Sequence, residues 1–89
     1  MGNNRHTAQL KGSFGSSQNL FELMQAEAAS PIKKVKHLGI QAKPGTLFNI
    51  DGKRVYVGLT GMYEIYDIEI LTLYVKNTDN IIIDYTVEI

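Results

Sequence analysis

The sequence predicts a mainly β chain, folded as a small antiparallel β-sandwich or barrel with one short N-terminal helix and a flexible N-terminal arm. Three observations lead there. Asp51-Gly52 lies between two apolar runs and marks a hairpin. From Ile81 to the end the chain alternates, with Ile81, Ile83, Tyr85, Val87 and Ile89 on one face and Asp84, Thr86 and Glu88 on the other. Gly39, Gly45, Gly52, Gly58 and Gly61 cut the C-terminal stretch into short segments. Short alternating runs separated by turn residues are the pattern of small all-β folds.

The elements follow in order. Residues 1–16 are polar, rich in Gly, Asn and Ser, and aperiodic, with Leu10 and Phe14 isolated among polar neighbours, so they read as a flexible arm. Residues 17–89 form a single β-rich domain that starts with a helix. Leu20, Phe21, Leu23, Met24 and Ala28 recur at helical spacing, and Asn19 can cap the start with Glu22 three residues on. Pro31 ends the helix by steering Ser30 away from helical backbone. So short a helix is marginal alone and needs a surface, either its own sheet or another subunit.

Strand signals begin at Lys33. A two-residue turn at Asp51-Gly52 needs positive φ at both positions, which these residues tolerate. It pairs Ile50 with Lys53 and Phe48 with Val55, and so puts Phe48, Ile50, Val55 and Val57 on one face. Gly58 to Gly61 break the run, and Met62 to Ile65 begin another strand. Leu71, Leu73 and Val75 alternate with Thr72 and Tyr74, and Asn77 to Asn80 form a turn by composition. About six short strands are expected from Lys33 onward.

Composition narrows the function. The 89 residues contain no cysteine, so no disulfide framework, thiolate metal site or cysteine nucleophile exists. Association with other chains is the remaining common route to stabilising so small a fold, and a homo-oligomer is expected. Net charge is zero, against a dedicated nucleic-acid binder. The charges are nevertheless segregated. Residues 1–45 carry six basic and two acidic side chains, residues 46–89 three basic and seven acidic, for net charges of +4 and −4. Chance is one reading, and complementary surfaces within or between subunits the other. No apolar run approaches the ~20 residues of a membrane span. The first residues lack the apolar centre of a secretory signal, so a cytoplasmic protein, or one exported only within a particle, is expected.

Chemistry is sparse. His6 and His37 have no ligand spacing to carboxylates, and neither a metal site nor a cofactor is expected. Asp67 and Glu69 lie two apart, but nothing in the sequence supplies a cleft or nucleophile, so a charged strand edge is the plainer reading. Lys33-Lys34-Val35-Lys36 is a basic cluster without aromatic platforms and reads as solvated. No glycine-rich loop leads into a helix, so no phosphate cradle is present. An enzyme is not expected, and no catalytic residue is assigned. Candidate interface residues are Leu20, Phe21 and Met24 on the helix stripe and Tyr56, Tyr63, Tyr66 and Tyr74 among the strands. Tyrosines on an exposed sheet face suit a protein partner or a sugar, and partial core packing suits them equally.

Leu38-Gly39-Ile40-Gln41-Ala42-Lys43-Pro44-Gly45-Thr46, Asn49 to Lys53, Val57-Gly58-Leu59-Thr60-Gly61-Met62-Tyr63-Glu64 and Ile82-Ile83-Asp84-Tyr85 form a familiar series. Over residues 35–89 it resembles small domains from structural genes of phages and prophages of low-GC Gram-positive bacteria, whose pattern runs GIQAPPGT, ING, IGxTGIYEL, IIDY. Lys43 stands where that pattern has a proline, a departure expected to loosen the turn. The resemblance implies a virion component of the head, neck or tail, with other virion proteins as partners. It places the protein in the virion, and in the host cytoplasm during assembly. A carbohydrate- or receptor-binding module of the particle, contacting a cell-surface glycan, is the alternative.

Overall fold

The last strand is the middle of the molecule. In the computed structural model, which describes residues 4–76 and 79–89, the elements run β1 (Arg5–Gly12), α1 (Leu20–Ala28), β2 (Lys34–Gln41), β3 (Leu47–Ile50), β4 (Lys53–Tyr56), β5 (Met62–Ile68), β6 (Leu73–Val75) and β7 (Ile81–Glu88). A four-stranded antiparallel sheet has the order β1-β7-β2-β5, and a three-stranded one the order β4-β3-β6. The two pack as a sandwich around one core.

The alternation of β7 is realised residue by residue. Ile81, Ile83, Tyr85 and Val87 are buried, and the residues between them lie on the outer face. Val35, Leu38 and Ile40 continue that inner face from β2, while Phe48, Leu73 and Val75 oppose it from the smaller sheet. The β3–β4 hairpin has the expected register, Ile50 with Lys53 and Phe48 with Val55. Its central residues, Asp51 (φ 50°) and Gly52 (φ 87°), both take positive φ, as a type I′ turn requires.

Helix α1 lies beside the smaller sheet, touching β1 and β6. The Asn19 Oδ1 caps it by accepting from the Phe21 N–H at 3.1 Å. At the other end Ala29 takes φ 57° and donates its N–H to the Gln25 carbonyl, a left-handed stop to the helix. The Gln25 side chain bonds the Ser30 carbonyl and the Ile32 N–H, fixing the exit.

Two expectations are corrected. The arm expected at residues 1–16 holds a strand: Arg5 to Gly12 pair one to one with Glu88 to Ile81 of β7. His6, Ala8, Leu10 and Gly12 turn inward, a face too thinly apolar to show as periodicity. The ladder to β7 supplies what the side chains do not, since every main-chain group must find a partner. Residues 1–3 of that arm, and Asn77 and Thr78 of the expected turn, lie outside the described residues. The second correction concerns Leu71, expected to share a face with Leu73 and Val75. Leu71 is exposed and Ile70 is buried instead. The pleat starts only at Leu73, because the Asp51 carboxylate holds the N–H groups of Leu71 and Thr72 at 2.8 and 3.0 Å.

Candidate functional site

Two surfaces stand out: a loop-built tip at one end of the sandwich, and the outer face of the large sheet with its two edges. The tip is made from two of the motif stretches. Lys43-Pro44-Gly45-Thr46 connects β2 to β3 as a tight turn, with Pro44 at its second position and Gly45 (φ 87°) at its third, the requirement of a type II turn. The Lys43 carbonyl accepts from both the Thr46 N–H at 3.0 Å and the Thr46 Oγ1 at 2.6 Å. Lys43 contributes its main chain at the first turn position, so the missing proline leaves the turn closed.

Gly58-Leu59-Thr60-Gly61 carries the chain from β4 across to β5, closed by the Gly61 N–H on the Gly58 carbonyl at 3.0 Å. The two turns are bonded together. Ala42 donates to Gly61 O at 2.9 Å, Gly45 to Val57 O at 2.8 Å, and Val57 to Thr46 O at 2.9 Å. Gly61 (φ 76°) lies so close to the Ala42 carbonyl that a Cβ there would approach it to 3.3 Å. Only glycine meets both demands without strain. This hydrogen-bonded base displays three apolar side chains to solvent: Tyr56 (59% exposed), Leu59 (96%) and Met62 (43%).

The outer face of the large sheet is polar and ordered in rows. Arg5, Thr7, Gln9 and Lys11 of β1 stand beside Glu88, Thr86, Asp84 and Ile82 of β7. The Thr7 and Thr86 hydroxyls hydrogen-bond at 2.9 Å, and the Gln9 side-chain amide donates to Asp84 at 2.6 Å. On β2 the ladder to β7 shifts by one residue between Val35 and His37. This bulge turns His37 outward and keeps Leu38 in the core. The imidazole bends over Gly39, where a Cβ would meet it at 3.3 Å, and brings Nε2 within 3.2 Å of Glu64 Oε1. The Tyr66 ring lies beside it, centroids 4.9 Å apart.

At the bulge Lys36 reaches Asp67 across the β2–β5 pair at 2.8 Å. The hydrogen bond from that ammonium, then its charge, holds the Asp67 carboxyl below the usual carboxylate range. The Asp51 carboxyl is held low chiefly by the N–H of Leu71, with further bonds from Thr72. Burial pushes the Tyr85 phenol up, helped by the charge of Glu27.

The structure separates the seven candidate interface residues. Leu20 and Met24 are fully buried in the core and are not available to a partner in the folded chain, and Phe21 is half-buried beside them. The helix stripe thus covers its own sheets. Tyr63 points inward and meets Phe48 edge-on at 5.1 Å. Tyr74 lies half-buried on the small sheet opposite Asn49. Tyr56 belongs to the tip and Tyr66 to the outer face, so the tyrosines form no single platform. Sequence reasoning missed Leu59, a lone apolar residue between glycines, although the flanking glycines mark it as a turn tip. It also missed the His37–Glu64 contact, which depends on the bulge.

Among the described residues no three His, Asp or Glu side chains gather as a metal site, and no helix is long and apolar enough to cross a membrane. Comparison with known proteins yields no match to any family model, curated protein or solved structure.

Proposed function

We propose that the chain is a non-enzymatic structural or assembly protein of a tailed-phage or prophage particle, acting through protein–protein contacts. The observation that carries this reading is the tip: Tyr56, Leu59 and Met62, each exposed, on a pair of turns joined by three main-chain hydrogen bonds. Exposed apolar clusters on a rigid base mark interaction sites, and preorganisation lowers the ordering cost of binding. The motif stretches that resemble virion domains build this tip, which supports the same reading. The test is Leu59→Asp, a change at a solvent-exposed position that should leave the melting temperature within about 2 °C. Wild-type chain should be found in density-purified particles from an induced host, and the variant should be missing from them. Particles that lack the wild-type chain contradict the proposal.

A second reading rests on the His37–Tyr66 pair. An open aromatic ring beside His37, with Glu64 bonded to that imidazole, offers a sugar both a stacking face and a hydrogen-bond partner. Saturable retention on cell-wall glycans, lost in Tyr66→Ala, favours the carbohydrate- or receptor-binding module.

A further inference from the structure

The two free edges of the large sheet are matched to each other. Among the described residues β1 and β5 each have a strand neighbour on one side only. Strand β1 spans eight residues and carries Arg5 and Lys11, with no acidic residue. Strand β5 spans seven and carries Glu64 and Asp67, with no basic residue, and Glu69 follows it directly. An unpaired edge is a template for another strand, so the sign of its charge selects which one.

We infer that the chain assembles head to tail, β1 of one copy pairing with β5 of the next into a continuous sheet. This deepens the assembly reading and rests on it. Three features of the fold favour this geometry. First, strands alternate in direction across β1-β7-β2-β5, so a copy placed alongside in the same orientation brings its β1 antiparallel to β5. Second, opposite charges meet. With copies level, Thr7 of one faces Tyr66 of the next, which sets Arg5 beside Glu69 and Lys11 diagonally from Glu64. A two-fold pairing of β1 with β1, or β5 with β5, would instead oppose like charges, which disfavours it. Third, the inward residues fit. The β5 edge borders an open cleft of about 230 Å³ between the sheets, lined by Val55, Tyr63, Ile65 and Ile68 together with the charged Asp51, Lys53 and Glu69. The added β1 places Ala8 and Leu10 over it. Such a contact is heterologous, so assembly continues past the dimer into a ring or fibre.

The experiment uses two double variants of the whole chain. Arg5→Glu with Lys11→Glu makes both edges acidic, and Glu64→Lys with Glu69→Lys makes both basic; all four positions are exposed. Sedimentation velocity at low salt should show wild type forming species larger than dimers. Each variant alone should associate at least about tenfold more weakly, and an equimolar mixture should regain wild-type assembly. Circular dichroism confirms that each variant is folded, and Lys11→Glu alone with Glu69→Lys alone repeats the test more mildly. Three results overturn the inference: wild type monomeric at millimolar concentration, a closed dimer unaffected by the β5 charges, or assembly that ignores both sets. In the last two cases the chain still self-associates and the assembly reading stands without this interface. A monomeric wild type that still enters particles through its tip likewise spares that reading.

Discussion

Strands β7 and β1 are equally long and lie side by side, yet one is plain in the sequence and the other hidden. Both pair over eight residues. Strand β7 lies between two neighbours and buries four apolar side chains; among the described residues β1 has one strand neighbour, and it turns in His6, Ala8, Leu10 and Gly12, none fully buried. Periodicity records burial of side chains, whereas an edge strand can be held largely by main-chain bonds that leave no trace in residue type. Of these two strands, the buried one is legible in the sequence and the thinly apolar edge one is hidden.

Core truncation separates the two strands most strongly. Ile83→Ala removes a fully buried side chain at the centre of β7 and should cost about 2–5 kcal/mol. Leu10→Ala on β1, the partner of Ile83 in the ladder, is only half-buried and should cost ~1 kcal/mol. Urea denaturation of both variants measures the gap, and equal losses would break the distinction.

The hairpin tip divides the same way within two residues. Gly52→Val forces a β-branched residue into φ 87° and should cost about 1–2 kcal/mol, read as a lowered melting temperature. Its neighbour Asp51 has a role the sequence did not reveal, gripping Leu71 and Thr72 across the fold. Because the Asp51 and Asp67 carboxyls are depressed in the folded chain, their stabilisation is present above the unfolded value of about 3.9. It is lost as pH falls through the lower folded values. Stability should therefore decline below about pH 4, and Asp51→Asn should flatten that decline while leaving the hairpin formed. An unchanged acid profile in Asp51→Asn removes the clamp.

The smallest effect lies at the seam between β1 and β7. Among the described residues the buried Tyr85 hydroxyl and His6 Nε2 have no hydrogen-bond partner, and their ring centroids lie 6.2 Å apart. With no described residue bonding that hydroxyl, Tyr85→Phe should change stability by no more than ~0.5 kcal/mol, or raise it slightly. A loss above about 1 kcal/mol would assign the hydroxyl a bond.

The residues that misled sequence reasoning share a cause. The hairpin, the helix with its Asn19 cap, and the alternation of β7 are local patterns, and each appears in the fold. Leu71 looked like a third inward residue of β6 because alternation cannot show that Asp51, twenty residues earlier, takes its N–H. Leu20 and Met24 looked available for a partner because an amphipathic stripe is the same whether it faces its own sheet or another's. His37 faces outward only because the bulge at Lys36 shifts the register, and no residue type announces a bulge. The tip was half visible: its turns were marked by glycines, but their docking on each other was not.

The most direct test of edge pairing is amide hydrogen exchange at several protein concentrations. In dilute solution β1 and β5 should exchange faster than β7, which has neighbours on both sides. As concentration rises at low salt, β1 and β5 should gain protection together, with β7 unchanged, and added salt should reverse the gain. Protection of β1 and β5 that does not vary with concentration would contradict the pairing of the two edges.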